Sequence, residues 1–284
     1  MLSWSAALLA HHPEAQRKVL AEIDAAFPPS SSSSPRPPLS PGDAGKLPTL
    51  EAVLLESMRL LPPAYIVGRH AANGARLSRR RKGKGEQRRG GGRGGREEGQ
   101  DAAAAAADDG DNDDADDDDD DDGKGNTSSS SSDFWELPPG TSVLVSPYLL
   151  HRDANSWDSP RRFLPERWLP MLRGEEGAEK TSSGPGGIRS MPLLAGMGPN
   201  GCYLPFGAGP RVCVGASFAM LEGVLVLAAL LRVAELRPLE GAEGEGEGGG
   251  ARARFPAAEP RLTLRPSGAG VRLRLVPRDR DDVL

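Results

Sequence analysis

The chain has 284 residues with 36 glycines, 26 prolines, only 5% aromatic residues and a mean hydropathy of −0.45. This composition mixes foldable segments with segments too polar to join a core. Two cysteines exclude a disulfide framework and a four-thiolate metal site, and four scattered histidines argue against zinc. The net charge of −5 averages two opposed charged blocks, so it indicates no class of partner. The sequence shows neither a signal peptide nor a run of about 18 apolar residues, and it indicates no compartment.

The first 73 residues are predicted to form helices and then one short strand. Apolar residues recur there at intervals of three and four, prolines stand where helices begin, and two prolines end the last helix. The predicted elements are, in order, the end of a helix at 3–11, a helix at 12–27, a loop at 28–45, a helix at 47–61 and a strand at 64–69.

Residues 74–133 have an entirely different composition. Ten Lys and Arg residues lie between positions 76 and 96, and an aspartate run extends from Asp108 to Asp122. Because the segment has almost no apolar residues to offset its ordering entropy, we predict a disordered insertion that divides the chain into 1–73, 74–133 and 134–284. An exposed loop whose charges neutralise each other is the favoured interpretation. The string RRGGGRGGRE also resembles RNA-binding Arg-Gly segments.

Order is predicted to return after residue 133. The expected elements are a turn at 138–140, a strand at 141–146, packed irregular coil at 156–170, a loop at 173–200, a helix at 216–233, an acidic glycine-rich loop at 240–250, and a hairpin pairing 261–265 with 271–276. Helices precede and follow a few short strands without regular alternation, so we predict a mainly α (α+β) fold.

The segment YLPFGAGPRVCVG, residues 203–215, sets Cys213 in a glycine-rich loop directly before the predicted helix. Backbone N–H groups and the dipole at a helix start stabilise a thiolate. Glycines allow a flat ligand to approach, and Arg211 can pair with a carboxylate. Haem iron requires this combination. The alternatives are a small buried hydrophobic cysteine and a disulfide with Cys202, whereas a dinucleotide fingerprint fails because its third glycine would be Val212.

The string PFGAGPRVCVGASFAMLE resembles the haem-binding loop and following helix of the cytochrome P450 family. This resemblance implies the C-terminal half of the P450 fold, with helices, small β-sheets and an irregular haem-binding loop. It also implies haem b as cofactor. The implied contacts are Cys213 as the axial thiolate and metal ligand, Arg211 and Arg69 on the propionates, and Phe206 and Gly209 around the sulfur.

Two further segments carry the same resemblance. LEAVLLESMRLLPP is similar to the family's E-x-x-R helix, and FLPERW is similar to its P-E-R-F segment. The resemblance implies a buried structural cluster of Glu56, Arg59 and Arg167. The alternative is a solvated ion pair, the usual fate of Glu and Arg three residues apart on a helix. The resemblance further implies a structural hydrogen-bonding role for His151 and a substrate cavity bordered by residues 64–67.

The implied function is a haem-thiolate monooxygenase that inserts one atom of dioxygen into a small organic substrate, with electrons from a reductase or ferredoxin and no nucleic acid as partner. The competing hypothesis is a non-catalytic remnant whose charged insertion binds RNA or protein. The segment LSWSAALLAHHPEAQRKVLAEI is similar to the sequence that follows the family's A-G-x-x-T motif. We therefore expect a truncated monooxygenase that lacks its distal haem wall, binds haem poorly and exposes apolar surface.

Overall fold

The computed structural model describes residues 1–28, 37–78, 134–174, 188–190, 194, 201–239, 255–268 and 270–278. The chain divides into a larger unit, residues 1–67 and 144–284, and a smaller unit, residues 68–143. The predictions of disorder and of RNA binding for residues 79–133, and of an acidic loop at 240–250, lie outside the described residues.

Helices dominate the larger unit, as the sequence predicts. The α-helices are α1 (Leu2–His11), α2 (Pro13–Ala26), α3 (Pro48–Leu60), α4 (Pro147–Leu150), α5 (Leu169–Arg173) and α6 (Ala216–Val233), and 3-10 turns occupy Pro41–Lys46, Pro165–Trp168 and Gly209–Arg211. Prolines occupy the first position of α2 and α3, where the missing N–H costs no hydrogen bond. The bounds predicted for α6 are confirmed.

Helix α3 is the centre of the core. Every residue from Thr49 to Leu60 is buried, and the helix contacts α1, α2, α5 and α6. Its N-terminus is capped by Glu22 of α2, whose carboxylate accepts the N–H groups of Thr49 at 2.8 Å and Leu50 at 3.1 Å. A helix so completely enclosed positions any charged side chain that it carries.

Helix α6 is the one helix in the described part of the chain that is long and apolar enough to cross a membrane, with a mean hydropathy of 1.9. It packs against α2 and α3. Gly223 allows the approach to α3, because a Cβ at this position would lie 3.1 Å from Leu54 and closer still to Met1. The face of α6 that packs against α2 and α3 is therefore part of the core.

The strands form four small two-stranded sheets. They are β1 (Val67–Ala71), β2 (Ala75–Ser78), β3 (Phe134–Leu137), β4 (Thr141–Val145), β5 (Ala234–Pro238), β6 (Ala258–Pro260), β7 (Leu264–Pro266) and β8 (Leu273–Pro277), paired as β1–β4, β2–β3, β5–β8 and β6–β7. Residues 75–78, which the sequence places in the disordered insertion, are therefore ordered. They pair antiparallel with β3, with Arg76 opposite Glu136 and 4.8 Å from the ring of Phe134.

The predicted hairpin between residues 261–265 and 271–276 is wrong. β7 pairs antiparallel with β6, and β8 pairs antiparallel with β5 from Ala234↔Pro277 to Pro238↔Leu273. Alternation of apolar and basic residues determines which face of a strand is buried, and it does not determine the partner strand. The predicted segments are strand only in part, at Leu264–Pro266 and Leu273–Pro277, and the two strands belong to different sheets.

The side chain of Gln16 acts as a strand partner for β5. Its amide nitrogen donates to the Leu236 carbonyl at 2.8 Å, and its amide oxygen accepts the Leu236 N–H at 2.7 Å. Both residues are buried, so water cannot replace these two bonds. Helix α2 is thereby fixed to the sheet that follows α6.

Substituting Gln16→Leu is expected to lower the free energy of unfolding by about 1–3 kcal/mol, because it leaves a buried N–H and a buried carbonyl without partners. Urea unfolding measures this loss. Arg17→Leu, on the exposed side of α2, is the control and should change stability by no more than about 0.5 kcal/mol. Equal stability of the two variants would contradict the role given to Gln16.

Candidate functional site

Cys213 lies at the end of the loop that the sequence singled out, and its thiol is free and exposed. Cys202 is not in a disulfide and is half-buried, and its sulfur lies 3.3 Å from Ser156 Oγ. Both alternatives for Cys213 are therefore wrong: it is neither a buried hydrophobic residue nor half of a disulfide.

The backbone of the loop presents this thiol. The Cys213 N–H donates to the Phe206 carbonyl at 2.9 Å, and the Val212 N–H donates to the Gly209 carbonyl at 3.0 Å. Gly207 and Gly209 have φ angles of 75° and 69°, in the left-handed region that glycine occupies without strain. The structure thus brings Phe206, Gly209 and Cys213 into one closed loop.

Two exposed apolar side chains follow Cys213 in the chain. Val214, next to Cys213, is 99% exposed, and Phe218 in the first turn of α6 is 69% exposed. A Cβ at Gly215 would lie 3.8 Å from the Cys213 sulfur, so the chain passes close to the thiol. Exposed apolar surface beside a soft ligand atom is suited to a flat apolar ligand.

The two candidate propionate-binding arginines lie in different units. Arg211 ends the 3-10 turn of the loop and is exposed. Arg69 lies on β1 in the smaller unit, is exposed, and donates to the Gly68 carbonyl at 2.8 Å. Their roles stay predictions.

Glu56 and Arg59 form a fully buried ion pair on α3. All five guanidinium N–H groups of Arg59 have acceptors: Glu56 Oε2 at 2.9 Å from Nε, the carbonyls of His151 and Pro160 at 2.7 and 2.6 Å from Nη1, and Glu56 Oε1 and the Arg162 carbonyl at 2.9 and 3.0 Å from Nη2. The alternative of a solvated surface pair is wrong.

The Glu56 carboxylate joins α3 to the segment after α4. Besides Arg59, it accepts the Leu164 N–H and Trp168 Nε1–H, each at 2.9 Å, and Arg167 Nε–H at 3.2 Å. The structure therefore brings Glu56, Arg59 and Arg167 together. Because these donors offset the cost of burying the carboxylate, the cluster pins the irregular coil around residues 160–168 to the core.

Aromatic side chains that the sequence analysis did not single out connect this cluster to the loop. Tyr203 packs with its ring centre 4.7 Å from that of Trp168 and 6.0 Å from that of Trp157, and its hydroxyl donates to the Leu55 carbonyl at 2.7 Å. Burial raises the pKa of Tyr203 well above its ordinary value, so the hydroxyl remains a donor. The sequence marks these aromatic residues only by placing them in segments that lack a regular apolar period.

A second buried carboxylate on α3 was also missed. Glu51 accepts the backbone N–H groups of Ser190 at 2.7 Å and Arg189 at 3.2 Å, and burial raises its pKa. A glutamate on an apolar helix face gives no local sign of backbone partners 138 and 139 residues away.

Comparison with known proteins identifies the family. Residues 1–78 and 131–246 match the family model for Cytochrome P450, a match that omits most of the predicted insertion. The chain is similar to Cyclooctatin synthase of Streptomyces melanosporofaciens, with 28% identity over 84% of this chain and 34% of that protein. It is also similar to Steroid 17-alpha-hydroxylase/17,20 lyase of Ictalurus punctatus, with 28% identity over 82% of this chain and 30% of that protein. The chain thus spans about a third of their length.

A solved structure confirms the predicted fold. The crystal structure of a cytochrome P450, CYP102L1, matches 98% of this chain and 42% of its own chain, with a TM-score of 0.56 and 22% identity. At this identity the match establishes the mainly helical P450 fold alone.

Proposed function

Because this chain belongs to the cytochrome P450 family, we propose that it is the thiolate-bearing part of a haem b monooxygenase, with Cys213 as the axial ligand. The observation that carries the proposal is the free, exposed thiol of Cys213 in a loop closed by its own backbone. Family membership supports oxidoreductase activity of the monooxygenase type, with an organic substrate and a redox partner. The chain spans about a third of its relatives' length, so the insertion of oxygen into an organic substrate is part of what we propose.

The residues around Cys213 fit the chemistry of haem. A thiolate is a soft anionic ligand for iron. Val214 and Phe218 offer apolar surface to a porphyrin, and the exposed cation of Arg211 suits a propionate. Arg69 is the second proposed propionate ligand.

When bound, haem supplies dioxygen activation and transfer of one oxygen atom to an organic substrate. The chain holds the Cys213 sulfur at a defined place. The hydrogen bond from the Cys213 N–H to the Phe206 carbonyl fixes the residue, and α6 begins at Ala216, three residues after it. The Glu56, Arg59 and Arg167 cluster holds the coil that supports the loop, and residues 64–67 are proposed to border the substrate.

Adding ferric haem to this chain, reducing it and adding carbon monoxide is expected to give a red-shifted, thiolate-type Soret band. Binding should be weak, because about a third of a relative's length supplies few of the contacts to the ring. In Cys213→Ala the band should disappear, since no thiolate remains at that position. Absorption spectra at excess haem measure the effect.

Cys202→Ala is the matched control, because it removes the other cysteine, which is half-buried and hydrogen-bonded with Ser156, and should leave the band in place. A thiolate-type band that survives in Cys213→Ala, or one that is absent from the unmodified chain, overturns the proposal.

A further inference from the structure

His151 joins α3 to the segment that precedes the loop. It is fully buried, its Nδ1 lies 3.2 Å from the Arg59 carbonyl, and its Nε2 accepts the Leu204 N–H at 2.8 Å. Since Nε2 is an acceptor, the proton of the neutral ring must be on Nδ1, which donates to Arg59. Burial lowers the pKa of His151 to about 4, which agrees with a neutral ring.

The connection between His151 and Arg59 runs in both directions. The Arg59 guanidinium donates to the His151 carbonyl at 2.7 Å, while the His151 ring donates to the Arg59 carbonyl. The ring centre also lies 5.1 Å from that of Tyr203. His151 is therefore fixed by the same buried cluster that holds the coil around residues 160–168. Its Nε2 accepts a hydrogen bond from one backbone donor, the Leu204 N–H.

That donor lies two residues before the residue whose carbonyl Cys213 contacts. Leu204 is followed by Pro205, whose φ is fixed by its ring, and then by Phe206, whose carbonyl accepts the Cys213 N–H at 2.9 Å. Because only Pro205 separates them, a displacement of Leu204 also displaces Phe206, whose carbonyl closes the loop. The hydroxyl of Tyr203, bound to Leu55, secures the same segment from the preceding residue.

We propose that His151 is a positioning residue for the Cys213 thiolate, acting through the Leu204 N–H and the Phe206 carbonyl. The inference rests on the function proposed above for Cys213. A merely structural role would stabilise the whole larger unit, whereas a positioning role acts on residues 203–213 in particular.

Two isosteric substitutions separate these roles. In His151→Asn, the amide nitrogen can still donate to Arg59, but the side chain is too short to reach Leu204. In His151→Gln, the amide oxygen can still accept the Leu204 N–H. We expect His151→Asn to raise the rates of amide hydrogen exchange at Leu204 and Cys213 by at least about tenfold, because it leaves a buried N–H without an acceptor. We expect His151→Gln to raise these rates by less than about threefold.

Exchange is measured on the full chain without haem, and the thiolate-type band is measured with haem. His11→Asn is the control, because the ring of His11 packs against Phe255, with the ring centres 5.3 Å apart, and not against the coil at 160–168. It should alter neither measurement. The thiolate-type fraction should fall in His151→Asn and recover in His151→Gln.

Equal effects of Asn and Gln at Cys213, or a rise in exchange that is as large in α2 and α6 as in the loop, would overturn the proposal. If the unmodified chain gives no thiolate-type band, the proposed function fails, and the exchange measurement alone still decides whether His151 holds the loop.

Discussion

Substituting Arg59→Met is expected to lower the free energy of unfolding by about 3–5 kcal/mol, a large part of the stability of an ordinary domain. The substitution leaves the Glu56 carboxylate buried with its principal cation removed, and it leaves three backbone carbonyls, those of His151, Pro160 and Arg162, without the donor they share. Methionine has a similar length and cannot donate, so the effect isolates the lost charge and hydrogen bonds from lost volume.

Helix α2 provides a matched control. Glu14 and Arg17 have the same residue types and the same spacing as Glu56 and Arg59, and their nitrogen and oxygen atoms are 2.8 Å apart, but the side chains are 79% and 71% exposed. Arg17→Met should change stability by no more than about 0.5 kcal/mol, because water solvates each charge when the pair is broken. Urea unfolding of both variants measures the difference. A similar loss in both, or a small loss in Arg59→Met, would show that the buried cluster does not hold the fold.

These two pairs also show what the sequence could predict. The periodicity of apolar residues predicted both helices, and a spacing of three residues puts the Glu and the Arg of each pair on one helix face. Local sequence does not distinguish the buried pair from the exposed one, since burial depends on α1, α2, α5 and α6 enclosing α3. The family resemblance supplied the distinction, because it connected Glu56 with Arg167, 111 residues away.

Other contact partners had no signal of either kind, although the resemblance implied a hydrogen-bonding role for His151 itself. The partner of β8 depends on the tertiary position of β5, which an alternating pattern cannot specify. The bond from Leu204 to His151 spans 53 residues and that from Tyr203 to Leu55 spans 148, and each uses a backbone group common to nearly every residue. The loop around Cys213 was predictable because its glycines, its cysteine and its helix are contiguous, whereas its supports come from distant segments.

Lowering the pH is the second change that we expect to reduce stability strongly. The free energy of unfolding is expected to fall as the pH is lowered from about 6.5 towards 4, with His151 as a main cause. Burial lowers the pKa of this residue from 6.5 to about 4 in the folded chain. Between these pH values the unfolded chain binds a proton that the folded chain does not. The contribution of His151 to the free energy of unfolding is therefore fully present above about pH 6.5. Below that pH it decreases by about 1.4 kcal/mol per pH unit, about 3 kcal/mol in all.

Other buried groups modify this dependence in known directions. Burial, and secondarily His12, lowers the pKa of the half-buried His11, which adds to the loss. Burial raises the pKa of Glu51 and Glu22, so the folded chain takes up a proton more readily there and acidification through those pKa values favours folding. The two carboxylates therefore offset part of the loss that the histidines cause at the acidic end of the range.

His151→Gln separates the histidine from these opposing groups, since glutamine keeps a hydrogen-bond acceptor and does not titrate. Urea unfolding at about pH 7, 6, 5 and 4.5 should give a flatter dependence for His151→Gln than for the unmodified chain, whatever the stability of the variant at neutral pH. His11→Gln should flatten it less, because His11 is half-buried. Parallel curves for His151→Gln and the unmodified chain would mean that His151 already carries its proton when folded, and such a ring could not accept the Leu204 N–H.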